Sequence, residues 1–345
     1  MRTIIVLLGL VLGVGCAKAP VSPDWLTAEP ADYPAARYLN GRGQGETAGV
    51  ARDRARADLA KVFEVAVRES SSDSLQWLQG SGANDGLQTS ISRDIQLQTS
   101  QIVNGVEIVQ TWRGKNGGDF HALAVLDRLQ AGNRLRAEIA ALDAETAQNI
   151  ARARGQDALP EKVSAAYNAL YAQLQRRHPQ KMLRIVDGTG IGLPPKYSLA
   201  ELKSDFESLL DRWQIGLAIG KDELGGTSDL LAGALGNAGI RHLDDGTQAE
   251  YLLRADLDSE KFTAGDGWNW VRGTLRVSML ETAGGNVIGS HQWSYKSSAL
   301  QPAMAEIRAR DELADLLAQD LLQVLVELGD VAENHRSRAF RGLPK

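Results

Sequence analysis

The sequence is poor in the residues that most enzymes and metalloproteins need. It has one cysteine in 345 residues, Cys16, so it contains no intramolecular disulfide and no thiolate metal cluster. None of its five histidines belongs to an H-x-x-x-H pair, and no G-x-S-x-G pentapeptide occurs. We therefore predict no catalytic residues, no metal and no cofactor, and expect a protein that is not an enzyme.

Long hydrophobic runs and an excess of basic charge are also missing. The chain is 43% hydrophobic and 23% charged, with a formal net charge of −5, which is typical of a globular protein and predicts no nucleic-acid binding. Basic runs at 52–56 and 176–178 fall on predicted helices, so we interpret both as solvated faces. A third basic stretch forms a predicted tail at 331–345.

The N-terminus has the pattern of an export signal. Met1-Arg2 is followed by an apolar or small stretch at 3–15, whose helical length of about 20 Å is too short to span a bilayer core of about 30 Å. Small residues then precede Cys16, which predicts a signal peptide over 1–15 and lipidation of Cys16, including a palmitate-type acyl chain. The alternative is an ordinary secretory signal. Ala17, rather than aspartate, favours the outer membrane, with the body facing the periplasm.

Proline-rich residues 16–36 are predicted to form a tether, whose Trp25 and Tyr33 dock onto a first domain at 37–128. In that domain, apolar residues three or four apart predict a helix from Thr47 with an alanine-lined face. Residues 69–100 are polar and are compatible with a loop or a helix. The other predicted elements are a strand at 37–40, a turn at Gly41, Gly43 and Gly45, a strand at 61–68, and a hairpin of 103–113 and 120–127 around Asn116-Gly117.

The rest of the chain predicts a helical connector and a second domain. Two helices at 129–180 are interrupted at Leu159-Pro160. A domain at 181–330 then opens with a strand at 183–186 and continues in the order β-α-β-α-β-β-β-α, with its third strand at 251–257. The predicted fold class is α+β: two domains, each a small mixed or antiparallel sheet covered by helices, joined by a helical segment.

Three tryptophans are the candidate interaction residues. Trp268 and Trp270 share one side of a predicted strand, and Trp293 lies on the strand paired with it. Packing within the sheet or core is the commoner role of such aromatic residues. If their rings are exposed, they form a surface for docking a protein or stacking on a glycan.

Other polar motifs give weaker signals. The loop Gly188–Gly192 follows a predicted strand but lacks the spacing and the lysine of a P-loop, which favours a structural turn. The glycines at 41–45 precede a helix, so an anion site there stays open. Asp256 and Asp258, beside Glu260, indicate a solvated edge strand or a cation site.

Several of these segments resemble a known family. Pro23-Asp24-Trp25, the glycine-spaced stretch 41–45, the alanine-rich helix 48–60 and the strands 106–112 and 122–127 resemble the LPP20 family of bacterial outer-membrane lipoproteins. More weakly, strand order and the pattern Ala249–Ala255 resemble the α/β domain of lipoproteins that assist curli secretion and murein synthase activation.

The resemblance implies a non-enzymatic outer-membrane lipoprotein. Such a protein acts as a scaffold or assembly factor for an envelope structure, such as a flagellar or another secretion or ring assembly. The alternative is a periplasmic ligand-binding module for glycan, murein or an anion. The implied partners are the membrane, through Cys16, and envelope proteins of unknown identity; whether the chain forms a homo-oligomer is left open.

Overall fold

The α+β prediction is confirmed. A computed structural model describes residues 22–79, 105–243 and 246–341; the signal peptide and Cys16 lie outside the described residues. This part of the chain has six α-helices and eight strands in two sheets. The helices are α1 Ala48–Gln79, α2 Arg128–Ala153, α3 Leu159–Val186, α4 Leu199–Arg212, α5 Thr227–Asn237 and α6 Pro302–Arg341. The strands are β1 Tyr38–Gly45, β2 Glu107–Arg113, β3 Phe120–Asp127, β4 Gln214–Asp222, β5 Arg241–Leu243, β6 Tyr251–Thr263, β7 Asn269–Glu281 and β8 Val287–Ala299.

The chain divides into two compact units. The first contains the described residues up to Leu59 together with Val106–Leu126, and the second contains the remainder. In the first unit the sheet has the order β1-β3-β2, and β2 and β3 are antiparallel. The predicted hairpin is therefore confirmed, apart from residues 103 and 104, which are outside the described residues.

The glycine-spaced stretch is a strand rather than the predicted turn. Gly41, Gly43 and Gly45 lie within β1, and a Cβ at Gly41 or Gly43 would overlap backbone atoms of α1 at Ala51 or Ala55. Both alanines are fully buried, so glycine and alanine together let the helix lie very close to the strand. Because α1 occupies this space, the glycines do not form an anion site.

The predicted strand at 61–68 is wrong, because α1 continues from Ala48 to Gln79. Phe63 is 1% exposed and follows the buried Leu59 by four residues, which continues the helical spacing of the alanine face. The alternating apolar residues at 63–67 are therefore part of a helix. Residues 69–79 are helical, and 80–100 lie outside the described residues.

The start of the described chain packs on the first sheet, as predicted for Trp25 and Tyr33. Trp25 is 4% exposed and clusters with Leu123 and Val125 of β3. The ring of Tyr33 meets that of Tyr38 edge to face, with 5.2 Å between centroids. Through these contacts the end of the predicted tether packs against β1 and β3.

The second unit is built on a mixed sheet of order β5-β4-β6-β7-β8, in which β4 is parallel to β5 and β6, and β6, β7 and β8 are antiparallel. Buried residues alternate with less buried ones along much of the three long strands, among them Leu253, Leu275 and Trp293. These residues share one core with the apolar faces of α3, α4, α5 and α6. The helices therefore cover one face of the sheet.

The strand predicted at 183–186 is the last turn of α3. Leu183 and Val186 are fully buried on that helix, and a short apolar run does not by itself distinguish a strand from a buried helix. Pro160 stands in the first turn of α3, where its missing N–H costs nothing, so the predicted interruption is confirmed. The sequence did not predict β5. None of the described helices combines the length and apolarity needed to cross a membrane.

The basic run at 176–178 is not a solvated face, since Arg176 and His178 are buried. The Nε of Arg176 lies 2.7 Å from Oδ1 of Asp143 on α2, and both side chains are at most 6% exposed. Gln173 also donates to Asp143. This buried ion pair joins α2 to α3. In contrast, the run at 52–56 is exposed except for Ala55, as predicted.

Candidate functional site

The second sheet has one face that the described helices leave uncovered, which we call the open face. Because side chains alternate along a strand, polar and aromatic residues of β6, β7 and β8 are collected there in rows that run across the sheet. The residues on the open face are Arg254, Asp256, Asp258, Glu260 and Phe262 on β6, Trp270, Arg272, Thr274 and Arg276 on β7, and Gln292, Ser294, Lys296 and Ser298 on β8.

The row at one end of the open face is aromatic. Phe262 and Trp270 are direct register partners, and their rings stack with 6.5 Å between centroids and 10° between planes. The Arg272 guanidinium lies 5.2 Å from the centroid of Phe262, and the Lys296 ammonium lies 4.6 Å from that of Trp270. Each ring therefore has a cation at its face, an arrangement that stabilises both groups while leaving them at the surface.

The next rows hold charged residues in pairs. Glu260 accepts from Arg272 at 2.7 Å, and Lys221 contacts both Asp258 and Glu223. Hydrogen bonds to Asp258 and Glu223 raise the pKa of Lys221 to about 12. In the described part of the chain, no group of three or more His, Cys, Asp or Glu is arranged to hold a metal ion. The interpretation of β6 as an edge strand is wrong, because β4 and β7 flank it.

Trp293 lies on the opposite face from Trp270. It is 5% exposed, and its Nε1 donates to Oδ2 of Asp320 on α6 at 3.3 Å. Its ring also contacts that of His291, with centroids 4.6 Å apart. The structure therefore separates the three candidate tryptophans, and Trp293 packs in the core, as such residues commonly do.

Trp268 instead lies at the same end of the sheet as several other exposed apolar residues. It is 38% exposed in the turn that precedes β7, and the neighbouring Asn269 donates to the carbonyl of Leu300 at 2.8 Å. Lys261 on β6 pairs with Glu306 on α6, which brings the start of that helix to the same end of the sheet. Five of the ten large apolar residues that are exposed in the described chain lie here. With the half-buried Trp270 they form what we call the aromatic end: Phe262, Trp268, Trp270, Leu300, Met304 and Ile307.

The sequence pattern missed Phe262 because the strand was predicted only as 251–257. The alternation itself ends early: Ala255 and Leu257 alternate with Asp256 and Asp258, but Ser259 and Lys261 then break the apolar series before Phe262. The apolar residues at 300–307 were not considered at all. Their exposure depends on how α6 begins against the sheet, which the local sequence does not reveal.

The glycine loop after α3 is a structural turn, as predicted. Gly188, Gly190 and Gly192 all have positive φ, between 61° and 74°. The carboxylate of Asp187 accepts from the backbone N–H groups of Thr189, Gly190 and Gly192. Slight burial raises the pKa of Asp187, but these hydrogen bonds outweigh it and lower the pKa overall. The chain's own carboxylate thus fills the nest of N–H groups that an external anion would need.

One family model matches part of this chain, and several solved structures resemble the whole or part of it. Residues 23–127 match the family model of the LPP20 lipoprotein. A secreted protein of Helicobacter pylori is 14% identical and aligns over 81% of this chain and 97% of its own, with a TM-score of 0.43. A Caulobacter crescentus protein described as a lipoprotein is 16% identical over 35% of this chain and 92% of its own, with a TM-score of 0.27.

A minor lipoprotein of Acinetobacter baumannii is 20% identical over 36% of this chain and 92% of its own, with a TM-score of 0.24. These scores are too low to establish a common fold. Among curated proteins, none matches this sequence. The family match covers the segments that carried the resemblance, from Pro23 to the end of β3. The predicted resemblance to the LPP20 lipoprotein family is therefore confirmed for residues 23–127.

Proposed function

We propose that this chain is a non-enzymatic, lipid-anchored scaffold of the bacterial outer membrane, and that its aromatic end docks an envelope protein. The lipoprotein family match of residues 23–127 supports the anchor. The single observation that carries the docking role is the aromatic end itself. Clustered exposed aromatic and apolar residues at one end of a sheet are typical of protein interaction sites rather than of an ordinary surface.

The composition of the aromatic end fits a protein partner. Trp, Phe and Met, with Arg272 nearby, are residue types enriched at the centres of protein interfaces. The surrounding ion pairs Glu260–Arg272 and Lys261–Glu306 resemble the polar rim of such interfaces. An enzyme would need converging acid, base or nucleophilic groups, whereas the charged groups of the open face pair with one another.

Site-specific photo-crosslinking in intact cells tests the docking role. A photoreactive amino acid is placed at Trp268 or at Met304 in the full-length lipoprotein. The matched control position is Val287, which is 61% exposed and starts β8 at the other end of the same sheet. We expect one envelope protein to be crosslinked from both aromatic-end positions and not from Val287.

Substitution of Phe262 and Trp268 by serine then separates recognition from folding. We expect the double variant to lose only about 1 kcal/mol of unfolding free energy, from the stacking of Phe262 on Trp270, and to lose the complex with the crosslinked protein. Equal crosslinking from all three positions, or an intact complex with the double variant, would contradict a docking role for the aromatic end.

The anchor is tested separately, by replacing Cys16. Acyl chains contribute about 0.8 kcal/mol per buried methylene, so their loss removes stable membrane attachment. We expect Cys16→Ala to shift the protein out of the outer-membrane fraction after cell fractionation. A Cys16→Ala variant that still sediments with the outer membrane would show that lipidation at this residue is not the anchor.

A further inference from the structure

The strand β8 forms one edge of the second sheet. In the described part of the chain it pairs with β7 on one side and with no strand on the other. The helix α6 runs antiparallel to β8: Arg308 donates to the carbonyl of Ser298 at one end, and Leu328 lies against Gly289 at the other. Because an edge strand has a row of backbone N–H and C=O groups that do not pair within its sheet, it can accept a further strand.

Every second residue of β8 directs its backbone groups away from β7. The N–H of Lys296 donates to Oε1 of Glu312 at 3.4 Å, and the carbonyl of Ser298 accepts from Nη1 of Arg308 at 2.8 Å. In an antiparallel ladder this orientation recurs at alternate residues, and the register of β7 and β8 is continuous from Gly289 to Ala299. The other residues of this outward row are Ser290, Gln292 and Ser294.

The side chains of α6 satisfy the outward row at one end of β8 but not at the other. Among the described residues, none donates to or accepts from the outward backbone groups of Ser290, Gln292 and Ser294, and all three residues are exposed. Edge strands are commonly protected by a lysine, a proline or a bulge, and the stretch Ser290–Ser294 has none of these. Over about 17 Å this edge is therefore open to pairing.

The helix beside this edge is acidic. Residues 311–327 of α6 contain five acidic residues and no lysine or arginine. Glu312 reaches the edge at Lys296, and the exposed Asp315 lies on the same face of the helix, three residues further on. The edge from Ser290 to Ser294 has no charged residue of its own apart from a histidine. Because opposite charges attract across an interface, this surroundings favour a basic partner.

We propose that the edge of β8 binds an extended, basic segment of a partner protein, which pairs with Ser290–Ser294 as an added strand. Its backbone exchanges hydrogen bonds with the outward groups of β8, and its cations face the carboxylates of α6. A second copy of this chain does not fit, because each β8 has α6 along it. Two such helices would lie about 5 Å apart, whereas packed helices need about 8–10 Å. This edge is separate from the aromatic end and does not depend on the docking role proposed there.

Peptide binding to the full-length lipoprotein, held in micelles of a neutral detergent, tests the proposal. The probe is a short fluorescent peptide of alternating threonine and lysine, blocked at both termini, and the control peptide has glutamate in place of lysine. We expect saturable binding of the lysine peptide, measured by fluorescence anisotropy, at least about tenfold tighter than that of the glutamate peptide. Equal binding of the two peptides, or no saturable binding of the lysine peptide, overturns the proposal.

A proline substitution separates strand pairing from simple charge attraction. Gln292→Pro removes an N–H that points away from β7, so the ladder with β7 keeps its hydrogen bonds, and proline is tolerated at such edge positions. Loss of this donor should weaken binding of the lysine peptide about tenfold. The matched control Gln292→Thr changes the same side chain but keeps the N–H, and it should bind like the wild type. If Gln292→Pro binds as tightly as Gln292→Thr, the added strand is refuted.

A charge reversal on α6 provides a second measurement that leaves β8 unchanged. Asp315 is exposed and has no ion pair or hydrogen-bond partner for its side chain among the described residues, so Asp315→Lys should keep the circular dichroism spectrum. We expect it to weaken binding of the lysine peptide severalfold and to strengthen that of the glutamate peptide. The control Asp211→Lys makes the same charge change near Arg241 of β5, at the opposite edge of the sheet. An unchanged preference in Asp315→Lys, or an equal change in Asp211→Lys, would also reject the proposal.

Discussion

The two faces of the second sheet come from the same three long strands but have different compositions. On the covered face, apolar residues such as Leu253, Leu275 and Met279 are at most 1% exposed beneath the helices. On the open face, charged and hydroxyl residues form paired rows, with Phe262 and Trp270 at one end. One face thus supplies the burial that stabilises the unit, and the other is available for recognition.

Residues of the same type also differ in their burial and contacts. Trp293 and Trp270 lie on neighbouring strands, yet one is in the core and the other stacks at the surface. Arg176 forms a buried pair with Asp143 in the helix layer, whereas Arg272 forms an exposed pair with Glu260. The surroundings rather than the residue type decide what each side chain contributes.

The largest expected effect comes from the tryptophans. Trp293→Ala leaves a cavity beneath α6 and should lower the free energy of unfolding by about 3–5 kcal/mol. Trp270→Ala removes a surface stacking partner and should lower it by about 1 kcal/mol. Urea unfolding of the full chain, followed by circular dichroism, measures both. Similar losses for the two variants would show that the open face is also covered in the native protein.

The buried ion pair should likewise contribute more to the free energy of unfolding than the exposed one. Asp143→Ala leaves Arg176 buried without its carboxylate and should cost about 3 kcal/mol. Glu260→Ala removes an exposed partner of Arg272 and should cost less than about 1 kcal/mol. The same unfolding measurement serves as the test, repeated at high salt, where only the smaller effect should diminish. An Asp143→Ala protein as stable as Glu260→Ala would refute the assignment of a structural role to the buried pair.

A smaller effect should appear as a pH dependence of stability. Burial, with a contribution from Lys181, lowers the pKa of His178 to about 4. In the unfolded chain a histidine takes up a proton near pH 6.5, so the unfolded state binds more protons between these values. Stability is then nearly complete above pH 6.5 and falls by roughly 3 kcal/mol as the pH decreases to 4.

The pH profile of the midpoint for urea unfolding measures this loss. In His178→Gln the part of the decline between pH 6.5 and 4 should disappear. In the control variant His291→Gln, a histidine of the strand β8, the decline should remain. A wild-type profile that coincides with that of His178→Gln would contradict neutral burial of His178.

Much of this fold followed from local patterns. Alternating residues located β7 and β8, and apolar spacing located α2, α4 and α6. The errors fell where one pattern allowed two structures. Phe63 belongs to an alternating stretch and Leu183 to a short apolar run, and both patterns suit a strand, but both residues lie on helices. In both cases the helix extends beyond the local window, because its apolar face continues to be buried.

The candidate sites were predictable only in part. Trp268 and Trp270 were identified because tryptophan on a polar strand is unusual, but their separation from Trp293 was not. The face of the sheet on which a residue of β8 lies depends on the register between β7 and β8. The turn of glycine and asparagine before β8 does not reveal that register. The burial of Arg176 was missed because the run at 176–178 was interpreted as a solvated face.

The sequence by itself determined the α+β class, the family of residues 23–127 and the expectation of a lipid on Cys16. Each depends on the order of residues within short segments, and a periodic pattern or a motif in the sequence shows that order without knowledge of the fold. The tertiary structure alone decided which tryptophans are exposed and which arginine is buried. Those outcomes depend on the strand register and on the helices that cover one face of the sheet, and contacts between distant segments set both.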